Sequence, residues 1–200
     1  QRQMCIRDSR GAARGVAGVD VDDVFMGNGV SELILMTLEA LLRPGDEVLL
    51  PAPDYPLWTA AVALTGATPV YYACPESRGF VPDPDELDRL VTPRCRAIVM
   101  INPNNPTGAV YPASVVRAIA RVAERHELVL FSDEIYDRIL YDGATHEPAA
   151  RHCTETLCAT FGGLSKVYRA CGLRTGSSVR RRPSRSSRST GGRPRPGTPR

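Results

Sequence analysis

Between Val19 and Gly176, short apolar runs alternate with segments of helical period, and no other feature of this chain restricts its fold as much. Ser31 to Leu42 carries apolar residues at helical spacing and closes on Arg-Pro-Gly-Asp. EVLLP (47–51) is a short buried strand, and Leu57 to Leu64 is helical again, stopped at Gly66. TPVYYA (68–73) and RAIVMIN (96–102) read as strands, with PDPDELDRL (82–90) as a short helix between them. A helix over Ala113 to His126, a strand ELVLFSDE (127–134) and a strand TLCATF (156–161) complete the series. Parallel strands need long crossovers, which helices supply. This order therefore predicts an α/β fold, a mostly parallel sheet sandwiched by helices. Sheets of this kind collect ligands at the carboxyl ends of their strands.

The two ends of the chain differ from this body. Residues 1–18 show no helical or strand period and are expected to be a leader outside the fold. Eight of the 25 basic residues fall between Arg180 and Arg200 with no acid among them, leaving 17 against all 22 acids, a net −5 for residues 1–179. The segment 180–200 contains only Arg, Ser, Pro, Gly and Thr. Lacking apolar residues to bury, it is expected to be disordered. A basic tail can hold nucleic acid electrostatically. Out-of-frame translation of GC-rich DNA yields the same composition, and that reading is preferred, so no nucleic-acid partner is expected.

Hydrophobic residues make up 42% of the chain, as in a soluble globular protein, and no apolar run approaches the ~20 residues that cross a bilayer. The opening QRQMCIRDSR lacks the apolar core of a signal peptide, so no membrane partner and a cytoplasmic location are expected. The six cysteines include no C-x-x-C pair and are expected to be free thiols. His152, Cys153 and Cys158 fit no zinc spacing well, and no metal is expected.

Four polar clusters follow the strands. In FMGNGVSELI, a Gly-Asn-Gly turn precedes a helix starting near Val30, which is a candidate anion site or a plain tight turn. INPNNPTG is a rigid loop whose asparagines either cap the turn or offer amide donors at the sheet mouth. LVLFSDEIYDRI ends an apolar strand in Asp133, with Tyr136 three residues on. A carboxylate there needs a cation, either a structural arginine or a protonated ring nitrogen. The last cluster is Ser165-Lys166, with Arg174 eight residues beyond the lysine. Lys166 is the only lysine against 24 arginines. A guanidinium stays protonated, whereas an amine can lose its proton and become a nucleophile. An arginine-biased composition with one surviving surface lysine accounts for that count equally well.

The four clusters share one economical solution, pyridoxal phosphate. It needs an amine for its aldehyde, an anion cradle for its phosphate, a carboxylate for its ring nitrogen and donors for its ring hydroxyl. GNGVSELI, PGDEVLLPAPDYPLWTAA, INPNNPTGAVY, FSDEIYDRILYDG and GLSKVYRACGLRTG, in that order, resemble the class I/II aminotransferases of fold type I. PAPDYPLW with INPNNPTGAVY most resembles the bacterial alanine (glutamate–pyruvate) subgroup.

The resemblance, which covers about Val19 to Gly176, implies the cofactor-binding large domain of such an enzyme over 19–179. It implies amino-group transfer between an amino acid and a 2-oxo acid, in a homodimer. Lys166 would bond the cofactor and afterwards move the substrate proton; Asp133 would hold the ring nitrogen; Tyr136 and Asn105 would bond the ring hydroxyl, with Asn105 also near the substrate carboxylate. Tyr55 would stack on the ring, and Gly29, Val30, Ser31 and Arg174 would hold the phosphate. The resemblance implies a phosphate-touching hydroxyl residue, as in many relatives, where Gly163 stands, and Ser165 is the candidate substitute. The pattern stops between Gly176 and Val179. The small domain, with the arginine that binds the substrate carboxylate, is expected to be absent, leaving an exposed sheet edge. A pyridoxal phosphate lyase or decarboxylase, and a non-catalytic regulator with this domain, are the alternative functions.

Overall fold

The computed structural model describes residue 19 and residues 21–181. The expected leader, Cys5 and residues 182–200 of the tail lie outside the described residues. Seven strands form one sheet: β1 (Val24–Asn28), β2 (Glu47–Ala52), β3 (Thr68–Ala73), β4 (Cys95–Ile101), β5 (Val129–Asp133), β6 (Cys158–Gly163) and β7 (Thr175–Arg181). They lie in the order β1-β7-β6-β5-β4-β2-β3. The run β3-β2-β4-β5-β6 is parallel throughout. Strand β7 is antiparallel to both β6 and β1.

The helices α1 (Val30–Leu41), α2 (Pro56–Leu64), α3 (Pro84–Arg89) and α4 (Ala113–Arg125) cover the two faces. Side chains alternate across a strand, so each parallel strand feeds two cores. Val48 and Leu50 of β2, with Val99 and Ile101 of β4, pack under Leu33, Ile34 and Leu38 of α1 and Trp58, Ala61 and Val62 of α2. Leu49, Ile98 and Met100 point the other way, against Leu87 of α3 and Val116, Ile119 and Ala123 of α4. Cys74, Cys95, Cys153 and Cys158 are buried free thiols, and Cys171 is an exposed one.

Two features depart from expectation. Strands β1 and β7 were not expected as an antiparallel pair, and β7 extends two residues into the segment read as a disordered tail, through Arg180 and Arg181. An exposed sheet edge was also expected, with no strand assigned to it. Strand β7 has neighbours on both sides, and the sheet edges are β1 and β3.

Glycines make the β1-β7-β6 junction possible. Gly27, Gly176 and Gly163 stand in one row across the three strands. A Cβ on Gly176 would lie 2.5 Å from the carbonyl carbon of Gly29 and 2.6 Å from the nitrogen of Val30. The backbone at the start of α1 therefore rests directly on the sheet. Gly176→Ala must push that helix start away, and overpacking against backbone destabilises by about 1–3 kcal/mol. A urea melt of the variant is expected to show a loss in this range; an unchanged midpoint would mean that the helix start is free to move.

Candidate active site

Every parallel strand ends at the same side of the sheet, and the antiparallel β7 begins there. Beyond β1 comes Gly29, beyond β2 Tyr55, beyond β4 Asn105, beyond β5 Tyr136 and beyond β6 Ser165 and Lys166. Asp133 is the last residue of β5, and Arg174 immediately precedes β7. Gly29, Val30, Ser31, Tyr55, Asn105, Asp133, Tyr136, Ser165, Lys166 and Arg174 all border one cavity of about 210 Å³. Each of the ten residues singled out from the sequence thus lies at a single site. Ile34, Ile101, Ile135 and Cys171 complete its wall. Sequence reading missed the three isoleucines because apolar residues at such positions are indistinguishable from core, and Cys171 because a lone cysteine carries no pattern.

One wall is the start of α1. Gly29 occupies the N-cap at φ 85°, a conformation that favours glycine, and no side chain caps the helix. The first-turn amides have no intrahelical acceptor and carry the positive end of the helix dipole. Glu32 folds back to accept the Asn28 N–H at 2.5 Å, fixing the turn. Arg174 crosses over this turn, its Nη2 donating to the Asn28 carbonyl at 3.4 Å. A Cβ on Gly29 would meet that Nη2 at 2.6 Å. Cation and amides thus share one concave corner, chemically suited to an anion.

The asparagine loop divides its labour. The Oδ1 of Asn102 accepts the Tyr111 N–H at 2.9 Å, and that of Asn104 accepts from Thr107 N–H at 3.2 Å and Thr107 Oγ1 at 2.8 Å. Both are buried and hold the loop, so the self-capping reading applies to them. Asn105 alone of the three faces the cavity.

The cavity floor is Asp133, only 4% exposed. The Trp58 indole N–H donates to its Oδ2 at 3.1 Å, and the Ile135 N–H to its Oδ1 at 3.3 Å. Burial raises its pKa from the ordinary 3.8 to about 6; the two donors oppose the rise and the neighbouring Glu134 adds to it. A buried carboxylate at a cavity floor calls for a cation to face it. Lys166, exposed and bordering the same cavity, places its Nζ 6.0 Å from the centre of the Tyr136 ring.

Gly163 takes the position where the resemblance leads one to expect a hydroxyl residue. A Cβ there would lie 3.0 Å from the Thr175 carbonyl oxygen and 3.1 Å from Ile135 Cδ1, so the position is already filled by its neighbours. Ser165 borders the cavity instead.

The aminotransferase class I and II family model matches residues 10–185, and the chain belongs to that family. Among individual proteins, it is 55% identical over 162 residues to the alanine aminotransferase of Mycobacterium tuberculosis, covering 81% of this chain and 38% of that protein. It is 54% identical over 164 residues to the glutamate-pyruvate aminotransferase AlaA of Escherichia coli, covering 82% of this chain and 40% of that one. The crystal structure of an aminotransferase from Escherichia coli superposes with a TM-score of 0.88 at 49% identity, covering 93% of this chain and 46% of that structure. The chain therefore spans about two fifths of the length of the curated relatives it matches.

Proposed function

We propose that this chain is the cofactor-binding portion of a pyridoxal-phosphate-dependent transaminase, exchanging an amino group between an L-amino acid and a 2-oxo acid. The names of its relatives support alanine and pyruvate paired with glutamate and 2-oxoglutarate. The reading includes a cytoplasmic homodimer without a membrane or nucleic-acid partner; among the described residues, no helix is long and apolar enough to cross a membrane.

One observation carries the proposal: an amine, a buried carboxylate and a cation-flanked helix start border the same cavity. The corner formed by Gly29, Val30, Ser31 and Arg174 suits a phosphate, and a side chain at Gly29 would fill it. Asp133 suits a protonated ring nitrogen; Asn105 and Tyr136 offer donors for a ring hydroxyl; Tyr55, 38% exposed, borders the same cavity and offers an aromatic ring for stacking. When bound, the cofactor supplies an electron-withdrawing ring that makes the substrate α-hydrogen acidic.

The remaining work falls to the chain itself. With the cofactor bound, Lys166 Nζ would hold its aldehyde end and, once the substrate amine had displaced it, would be the free base that takes the substrate α-proton and returns it. Asp133 would keep the ring nitrogen protonated by presenting it with a negative charge. Asn105 orients the substrate carboxylate beside the ring.

The test is chemical labelling. After incubation with pyridoxal phosphate and borohydride reduction, mass spectrometry of the folded chain is expected to find one stable adduct, on Lys166. A chain without that adduct refutes the proposal. Conversion of the loaded cofactor to its amine form by one equivalent of alanine is expected, and it separates transamination from lyase or decarboxylase chemistry.

A further inference from the structure

We propose that Trp58 is a positioning residue for the ring nitrogen of the cofactor: from behind the cavity, its indole N–H fixes both the orientation and the charge state of the Asp133 carboxylate. The proposal rests on the pyridoxal phosphate reading of the cavity.

Trp58 lies outside the cavity wall and is completely buried on α2, 75 residues from Asp133 in the chain. Its indole is held by two rings from the sheet. Phe131 stacks on it at 6.0 Å between centres and 30° between planes, and Phe161 meets it edge-on at 5.4 Å and 81°. Phe131 lies two residues before Asp133 on β5, and Phe161 is the residue paired with Asp133 on β6. The same two strand ends that present the carboxylate therefore aim the indole at it.

The chemistry is mutual. A buried indole N–H needs an acceptor, and a buried carboxylate needs donors. Each Asp133 oxygen receives one donor, Trp58 on Oδ2 and the Ile135 backbone on Oδ1. A donor favours the charged form of the carboxyl group. Only the charged form can oppose a protonated ring nitrogen. Without the indole N–H, Asp133 retains one donor, takes up a proton at higher pH and leaves the ring nitrogen without its counter-charge. The titratable or charged groups around it, Tyr55, Glu134, Tyr136, Lys166, Cys171 and Arg174, are common to wild type and variant, so they cancel in the comparison.

The experiment uses the full 200-residue chain, wild type and Trp58→Phe, with pyridoxamine 5′-phosphate as probe because it forms no bond to Lys166. Phenylalanine keeps an aromatic ring between Phe131 and Phe161 and removes the donor. Equilibrium dialysis from pH 5 to 8.5 is expected to show affinity falling as the pH drops. The midpoint should lie about one pH unit higher in the variant, with roughly fivefold weaker binding near pH 6, nearly tenfold at pH 5, and convergence at pH 8.5. Coincident profiles, or an equal loss at every pH, would overturn the proposal, since a packing defect alone does not titrate.

If Trp58→Phe fails to fold, 3-benzothienylalanine at position 58 keeps the bicyclic shape and replaces N–H with sulfur; Trp58 is the only tryptophan, so the exchange touches no other site. The same profiles decide the outcome. A wild-type chain that does not bind the probe at any pH overturns the cofactor reading itself, whereas binding with coincident profiles overturns only the role of Trp58.

Discussion

Lys166→Arg is expected to remove the borohydride-stable cofactor adduct completely, at least a hundredfold below wild type, while the chain stays folded. Arginine keeps the positive charge that draws an anionic cofactor to the site, but its guanidinium stays protonated and forms no bond to an aldehyde. Lys166 is exposed, and substitutions at exposed positions usually change stability by less than about 0.5 kcal/mol. The urea midpoint should therefore hold while the adduct disappears. The sequence supplies its own control: with a single lysine in the chain, the N-terminal amine is the only other primary amine. Peptide mapping that finds the same adduct yield in Lys166→Arg, placed at the N-terminus, would show that labelling never reported on the cavity.

The parallel part of the sheet was legible because burial on both faces demands continuous apolar strands. EVLLP and RAIVMIN meet that demand, and each lies within a residue or two of its strand. Strands β1 and β7 do not meet it. Strand β1 (VFMGN) lies at a sheet edge and leaves Phe25 and Met26 exposed, so its sequence has no buried-strand signature. Strand β7 (TGSSVRR) is buried at Gly176, Ser177 and Ser178 by the backbones of its neighbours rather than by apolar side chains of its own. Its small residues and arginines read as the onset of a polar tail. The glycine row explains the same blindness, because Gly27, Gly163 and Gly176 acquire their purpose only when three strands far apart in the chain come together.

The site was more legible than the fold around it, for a topological reason. Polar residues directly after apolar strands must gather at one end of a parallel sheet, whatever the order of the strands. Arg174 precedes its strand rather than following one, and it reaches the same end only because β7 runs antiparallel. Trp58 was not legible as a partner of Asp133. The available signal was chemical rather than periodic: one buried indole donor and one buried carboxylate, each requiring a partner.

Asp133→Asn should move stability and cofactor binding in opposite directions. Burial raises the Asp133 pKa from 3.8 to about 6 in the folded chain, above the value expected when unfolded. Its contribution to stability is therefore fully present below pH 3.8 and is lost as the pH rises through about 6. Two pKa units correspond to about 3 kcal/mol, so above pH 7 the cofactor-free chain carries a destabilisation on that order. Asparagine does not titrate, and its Oδ1 still accepts from Trp58. Its amide N–H faces the Ile135 donor, a mismatch of about 1–3 kcal/mol that does not vary with pH. Urea melts should thus show wild type losing about 2.5 kcal/mol relative to Asp133→Asn between pH 4 and pH 8. Cofactor affinity should change the other way. Removing one member of a buried charge pair weakens binding by about 2–5 kcal/mol, some thirtyfold or more. A carboxylate kept only to hold the fold together would lower stability and leave affinity alone when replaced. One that destabilises the empty chain while tightening its complex is placed there for the ligand, and a pH-independent stability difference between the two proteins would contradict that placement.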